Sequence, residues 1–293
     1  MPTTAPSTSP TPTTAPPTPT TEPPHADSLA RPGAHADVSS ATSPGATDAT
    51  GPAALPTLVA QAERHVALGV ADLAGTDPDA LRTLARRGDD AGLVGLLVLP
   101  GAPVSALAPL LRRGERPGFV VEDMTDVDLF APVTGLDVPG TPYVLTGVDR
   151  GDDLANASPD EAAVELTARG RTPLTLPEGV QWVLQVPEAL ERNRCFMTIG
   201  SRLTKPGGRL DARTPAVWIS NGTGRDGRDR RDAPKVGWCW ARNRHTWLGF
   251  ASATARVPLD GTVPLDGTAP RDGTTPRDDA RTGGDPLRPG GTP

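Results

Sequence analysis

Cys195-Phe-Met-Thr-Ile-Gly-Ser201, Pro215-Ala-Val-Trp-Ile-Ser220, Pro234-Lys-Val-Gly-Trp-Cys-Trp240 and Trp247-Leu-Gly-Phe-Ala-Ser-Ala253 form a run of four short apolar blocks. Each is rich in β-favouring residues and bounded by Gly, Pro or Asn, the pattern of strands separated by turns. The expected strands are Cys195–Ser201, Ala216–Ser220, Val236–Trp240 and Trp247–Ala253. Strands joined by short polar loops pair antiparallel, so a C-terminal antiparallel meander is expected. Side chains alternate across a strand, which puts Trp238 and Trp240 on one sheet face and Cys239 on the other.

Working back toward the N-terminus, the apolar spacing becomes helical. Thr175-Leu-Pro-Glu178 and Ser158-Pro-Asp-Glu161 are capping boxes with Pro in the first turn, and each starts a helix. Pro187 interrupts the later one and restarts a short turn through Leu190, while the earlier one runs to Ala168. Asp77 can cap a helix that carries Pro78 in its first turn and ends just before Gly88. Leu55, Leu58, Val59, Ala62, Val66, Val70 and Leu73 give one apolar helical stripe. Short buried strands are expected at 92–99, 118–123 and 143–149, with a Pro-punctuated helical segment near 104–112. Helices with short strands first and a meander last make an α+β domain.

The domain spans 54–256. It holds all five Trp, the one Tyr, all four Phe and both Cys, and a chain of that length buries roughly 70% of its unfolded surface. Residues 1–53 are a Thr/Pro-rich tail: the first fifty carry 12 Thr, 11 Pro and no aromatic residue. Such a stretch lacks the apolar surface to offset the entropy of ordering, and disorder is expected. Its Thr-Pro pairs could serve proline-directed recognition or phosphorylation. Residues 257–293 repeat Val-Pro-Leu-Asp-Gly-Thr twice, pass through Ala-Pro-Arg-Asp-Gly-Thr, and decay into Gly, Pro and Arg; this too reads as a disordered tail. Met1 is followed by Thr and Pro, not by the charged and apolar runs of a secretory leader. Ala91–Leu99, the most apolar stretch, is far shorter than a bilayer span. Two cysteines make no disulfide framework. The expected setting is the cytoplasm, with no membrane partner.

Gly170-Arg-Thr-Pro-Leu-Thr175, Cys195-Phe-Met197, Gly200-Ser-Arg202, Pro215-Ala-Val-Trp-Ile-Ser220, Pro234-Lys-Val-Gly-Trp-Cys-Trp240 and Asn243-Arg-His-Thr-Trp-Leu-Gly249 together resemble a family of uncharacterised actinobacterial proteins, a domain of unknown function. The similarity covers most of residues 58–256. It implies no substrate, cofactor or catalytic residue. One departure from the family pattern is Arg244, where a Pro is more usual between the Asn and the His.

Three chemistries are open to the residues themselves. The first is anion binding. The chain is −6 overall, yet residues 192–244 contain 11 Arg, 2 Lys and 4 Asp, a balance of +9. The Arg/Asp-alternating stretch Asn221–Asp232 reads as a solvated loop and supplies only +1 of it. The rest lies on and beside the Trp-bearing strands, and basic residues interleaved with aromatics suit an anionic ligand or single-stranded nucleic acid. Candidate ligand contacts are Arg202, Lys235, Trp238, Trp240 and Trp247; if the Trp face is covered, these rings are core instead, as large aromatics mostly are. A non-enzymatic binding or regulatory module is the leading expectation. The second chemistry is a Cys-dependent enzyme using Cys195 or Cys239 with His245 as base and Asn243 orienting the ring; Arg192 and Arg194 would favour a thiolate. The third is a metal site, for which the Cys and His spacing is wrong: zinc prefers close ligand pairs. Neither a metal nor a cofactor is expected, and no phosphate-loop fingerprint is present. Arg outnumbers Lys 27 to 2, a bias that looks compositional.

Overall fold

The computed structural model describes residues 54–260. The expectations for residues 1–53 and for the later hexapeptide copies lie outside the described residues. The first part of the described residues carries four helices: α1 (Leu58–Ala67), α2 (Val70–Leu73), α3 (Pro78–Asp90) and, beyond a short strand, α4 (Val104–Leu107). The stripe that starts at Leu55 is therefore split, because Gly69 adopts the left-handed conformation (φ 72°) between α1 and α2. Asp77 caps α3 as expected, its Oδ1 accepting from the Ala80 N–H at 2.7 Å. The helix does not end before Gly88. A Cβ there would stand 2.5 Å from Leu58 Cδ1, so this glycine marks the crossing of α1 and α3. That closeness lets Asp89 cap α1 from outside, its carboxylate accepting the Leu58 and Val59 N–H groups at 2.8 and 3.0 Å.

A three-stranded antiparallel sheet follows in the order β1 (Leu96–Val98), β3 (Tyr143–Thr146), β8 (Ala255–Pro258). Its free edge is closed by side chains. The Gln61 and Gln181 carboxamides accept from Leu97 N–H (2.8 Å) and Leu99 N–H (2.9 Å), and each also donates to a backbone carbonyl, Gly95 and Leu99 respectively. His65 Nε2 donates to Leu97 O at 3.1 Å. Buried glutamines thus take the place of a further strand beside β1 and keep that edge from pairing with another chain.

Both capping boxes form, on α5 (Pro159–Ala168) and α6 (Leu176–Gln185). Glu178 does more than cap. It is fully buried, accepts from Thr175 N–H (2.6 Å) and Tyr143 OH (2.6 Å), and receives Arg256 Nε and Nη at 2.7 and 2.8 Å. Such a buried charge persists only when its lone pairs are filled. The ordered fold therefore extends past Arg256: Val257 and Pro258 pair with β3, and Leu259 lies in the core. The boundary expected at residue 256 moves into the first hexapeptide copy, because strand pairing and a pocket for Leu259 outweigh its turn-rich composition.

The second sheet has five strands in the order β7 (Leu248–Phe250), β4 (Cys195–Met197), β5 (Arg213–Ile219), β6 (Pro234–Trp240), β2 (Phe119–Val120). Only β4, β5 and β6 form the expected antiparallel meander; β7 joins β4 in parallel and β2 joins β6 in parallel. The sheet is mixed because one edge is filled by β2 from the helical half and the other by β7, which crosses from the end of β6 to the far side of β4. It is buried on both faces. Phe196, Val217, Val236 and Trp238 face the main core, while Cys195, Met197, Trp218, Cys239 and Phe250 face a second core closed by Ala162 and Leu166 of α5. Each large side chain so buried contributes roughly 1.5–3 kcal/mol. The chain is an α+β domain with helices and mixed sheets.

Candidate functional site

The two-sided burial decides the fate of the aromatic residues. Trp218 and Trp238 sit on opposite faces of the sheet, 7% and 5% exposed, so they cannot form one stacking surface. Trp238 packs edge-on against Trp240 at 4.6 Å and donates its indole N–H to Asp123 at 3.3 Å. Trp240, at the end of β6, keeps a half-exposed ring. Trp247 stacks on His245 at 4.6 Å and is likewise half-buried.

Cys195 and Cys239 are buried free thiols. Burial pushes the Cys195 thiol far up, and it pushes Cys239 up to about 11. The arginines expected to favour a thiolate are engaged elsewhere, Arg192 with Asp232 and Arg194 with Glu191 and Asp152. His245 is held below its ordinary value by burial, and its ring rests on Trp247. The Arg150 charge near Cys195 and hydrogen bonds from Trp240 and Asn243 to Cys239 act the other way, but burial outweighs them at both thiols.

Most of the basic excess is also engaged. Arg213 holds Asp126 in a two-point pair at 3.0 and 2.7 Å, Arg244 pairs with Glu161, Arg225 with Asp123 and Arg230 with Glu122. Arg209 and Arg242 are different: like Arg228 and Arg231 of the Arg/Asp loop, neither makes an ion pair or a side-chain hydrogen bond among the described residues, and both are exposed. They meet at one cavity of about 490 Å³, which they line with Arg202, Lys205 and the open edge of Trp240.

Local sequence builds this cavity. Lys205-Pro-Gly-Gly208 is a tight turn in which Gly208 N–H donates to Lys205 O at 3.0 Å and Gly207 takes φ 91°, as a turn with Pro second and Gly third requires. The turn returns the chain so that Lys205 N–H meets Arg209 O at 2.8 Å, which sets both basic residues at the rim. Arg202 enters from below, 11% exposed. One Nη donates to Asp211 O at 2.7 Å, the other stands 3.7 Å from Asp160, and the buried Nε has no partner among the described residues. Asp211 is the counterweight. Burial would raise its carboxyl, but hydrogen bonds from Arg213 and Lys205 outweigh that and hold it at about 2. The wall therefore carries four cations against Asp160 and Asp211.

Lys235 lies elsewhere. It lines a smaller cavity of about 210 Å³ with Asp226, Asp123 and Arg225, and this cavity shares no residue with the first. Of the residues expected to bind a ligand, Arg202 and Trp240 come together; Trp238, Trp247 and Lys235 do not join them. Lys205, Arg209 and Arg242 were missed. The Pro-Gly-Gly turn between two basic residues was the available signal for the first two.

Among the described residues no helix is long and apolar enough to cross a membrane. No curated protein and no solved structure matches the chain. The sequence profile of a family of unknown function, DUF5701, matches residues 64–259, and with most of its length covered the chain belongs to that family.

Proposed function

We propose that the protein is a non-enzymatic binding or regulatory module that holds a small anionic ligand in the cavity between Lys205, Arg209, Arg242 and Arg202, with a planar part of that ligand against Trp240. The observation that carries this reading is the convergence of two unpaired arginines, Arg209 and Arg242, on one concave site. A volume of about 490 Å³ is in the range of small-molecule sites. Guanidinium forks suit phosphate or carboxylate groups, and an aromatic face suits a base or other ring. A reducing, cytoplasmic setting belongs to the same reading, since both cysteines are free thiols.

The test is quenching of tryptophan fluorescence by AMP, by inorganic pyrophosphate and by a single-stranded oligonucleotide, on the wild type and on Arg209→Ala and Arg242→Ala. Neither arginine holds the fold together, so both variants should keep the wild-type melting temperature. Each should weaken AMP binding roughly tenfold or more, the worth of a hydrogen bond to a charged group. Binding of AMP unchanged in the double variant would overturn the proposal. Tight, length-dependent oligonucleotide binding would redirect it to nucleic acid.

A further inference from the structure

In a chain with 27 Arg, lysine occurs only twice, at 205 and 235. The two positions differ sharply. Lys205 is on a turn with its side chain 45% exposed, whereas the Lys235 side chain is 6% exposed. Lys235 is the second residue of β6, directly across from Trp218 on β5, and its Nζ lies 4.8 Å from the centre of the Trp218 ring. Asp226 Oδ2 receives Nζ at 2.7 Å and also accepts from the Ser220 hydroxyl at 2.7 Å. Lys235 lines the 210 Å³ cavity. Arg225 and Arg230 also line that cavity, 57% and 39% exposed; Arg225 is 3.2 Å from Asp123, and Arg230 is 3.5 Å from Glu122 and 4.6 Å from the centre of the Phe119 ring, with Asp123 and Glu122 on the same wall.

A guanidinium at 235 would stay charged under all conditions; an ammonium removed from water gives up its proton far more readily. Burial does pull Lys235 below the ordinary lysine value, and the Asp226 hydrogen bond restores it only in part.

We propose that Lys235 is an imine-forming amine that condenses with a small oxo acid, whose carboxylate is met by Arg225 and Arg230. The step balances without any redox partner. The ammonium passes a proton to Asp226, and the freed lone pair attacks the carbonyl carbon to form the C–N bond. The carbonyl oxygen then collects two of the three original ammonium protons, one of them returned by Asp226, and leaves as water. The product is a protonated imine, whose charge sits where the ammonium sat, against the Asp226 carboxylate and over the Trp218 ring. The surroundings that hold the resting cation thus hold the product cation as well.

The rarity of lysine makes the test clean. Wild-type protein is incubated with glyoxylate and cyanoborohydride, digested, and the carboxymethyl adducts at Lys205, Lys235 and the N-terminal amine are quantified over time. The expected result is saturable labelling at Lys235 that outpaces exposed Lys205 by about tenfold or more, because a buried amine reacts faster than an exposed one only when it is deprotonated and served by a proton relay. Asp226→Asn should slow labelling at Lys235 while leaving Lys205 unchanged, and its melting curve reports whether it folds. Labelling at Lys235 no faster than at Lys205 in the wild type would overturn the proposal whatever any variant does. Since the two cavities share no residue, neither outcome bears on AMP binding at the other site.

Discussion

His65 is completely buried on α1, with Nε2 on the Leu97 carbonyl and Nδ1 without a partner among the described residues. Charging the ring requires a proton on that orphaned nitrogen. Burial is the main cause and the neighbouring Arg64 charge a smaller one, against the Leu97 bond, and together they lower His65 from 6.5 to about 4. The sign follows from linkage. Between those two values the unfolded chain binds the proton and the folded chain does not, so stability falls as pH drops below 6.5. The loss is roughly 2 kcal/mol between pH 7 and pH 5 and about 3 kcal/mol once the folded ring titrates. The carboxylates do not confound this window: Asp126 and Asp211 are held below their ordinary values by Arg213 and its neighbours, so their contribution is lost only at lower pH. The assay is urea unfolding at pH 7 and pH 5 on the wild type, His65→Gln and His245→Asn. His65→Gln keeps a donor for Leu97 O but cannot titrate, so it should lose most of the slope and keep only the smaller part that His245, also held low by burial, contributes. A wild-type slope retained by His65→Gln, or removed by His245→Asn instead, would refute the assignment.

Glu178→Gln leaves the Arg256 guanidinium buried against a neutral amide and should lose about 3–5 kcal/mol, read as a lowered melting temperature. Gln181→Leu strips partners from both Leu99 N–H and Leu99 O at the β1 edge; each unsatisfied group costs about 1–3 kcal/mol, and hydrogen exchange at Leu99 should accelerate with it. Both thiols should resist a disulfide reagent in the native state and react only at the rate of unfolding, since burial raises them; rapid native labelling at Cys195 would contradict their placement in the second core.

The candidate site was legible only in part. Arg202 and Trp240 could be singled out from charge and aromatic interleaving, but that signal was diluted by arginines that prove to be bound within the fold, such as Arg213 on Asp126. Ion pairing between residues 87 apart leaves no mark on a local window of sequence. Lys235 was grouped with Arg202 on charge alone, and only the pairing of β5 with β6 showed that it belongs to a separate cavity. The Arg/Asp loop read as solvation proved to carry Asp226, the partner of Lys235.

By itself the sequence determined what is local: where α3, α5 and α6 start, through the side chains of Asp77, Ser158 and Thr175 bonding to amides three residues on, and which residues of β4, β5 and β6 share a face, through the two-residue period of the pleat. Tertiary structure decided the rest. The parallel edges of the large sheet, the glutamine-closed edge of β1, the strand and Leu259 beyond residue 256, and the burial of three of the five Trp rings all depend on segments far apart in the chain. Contacts of that kind repay loop closure only when the whole core assembles, so no stretch of residues carries them alone.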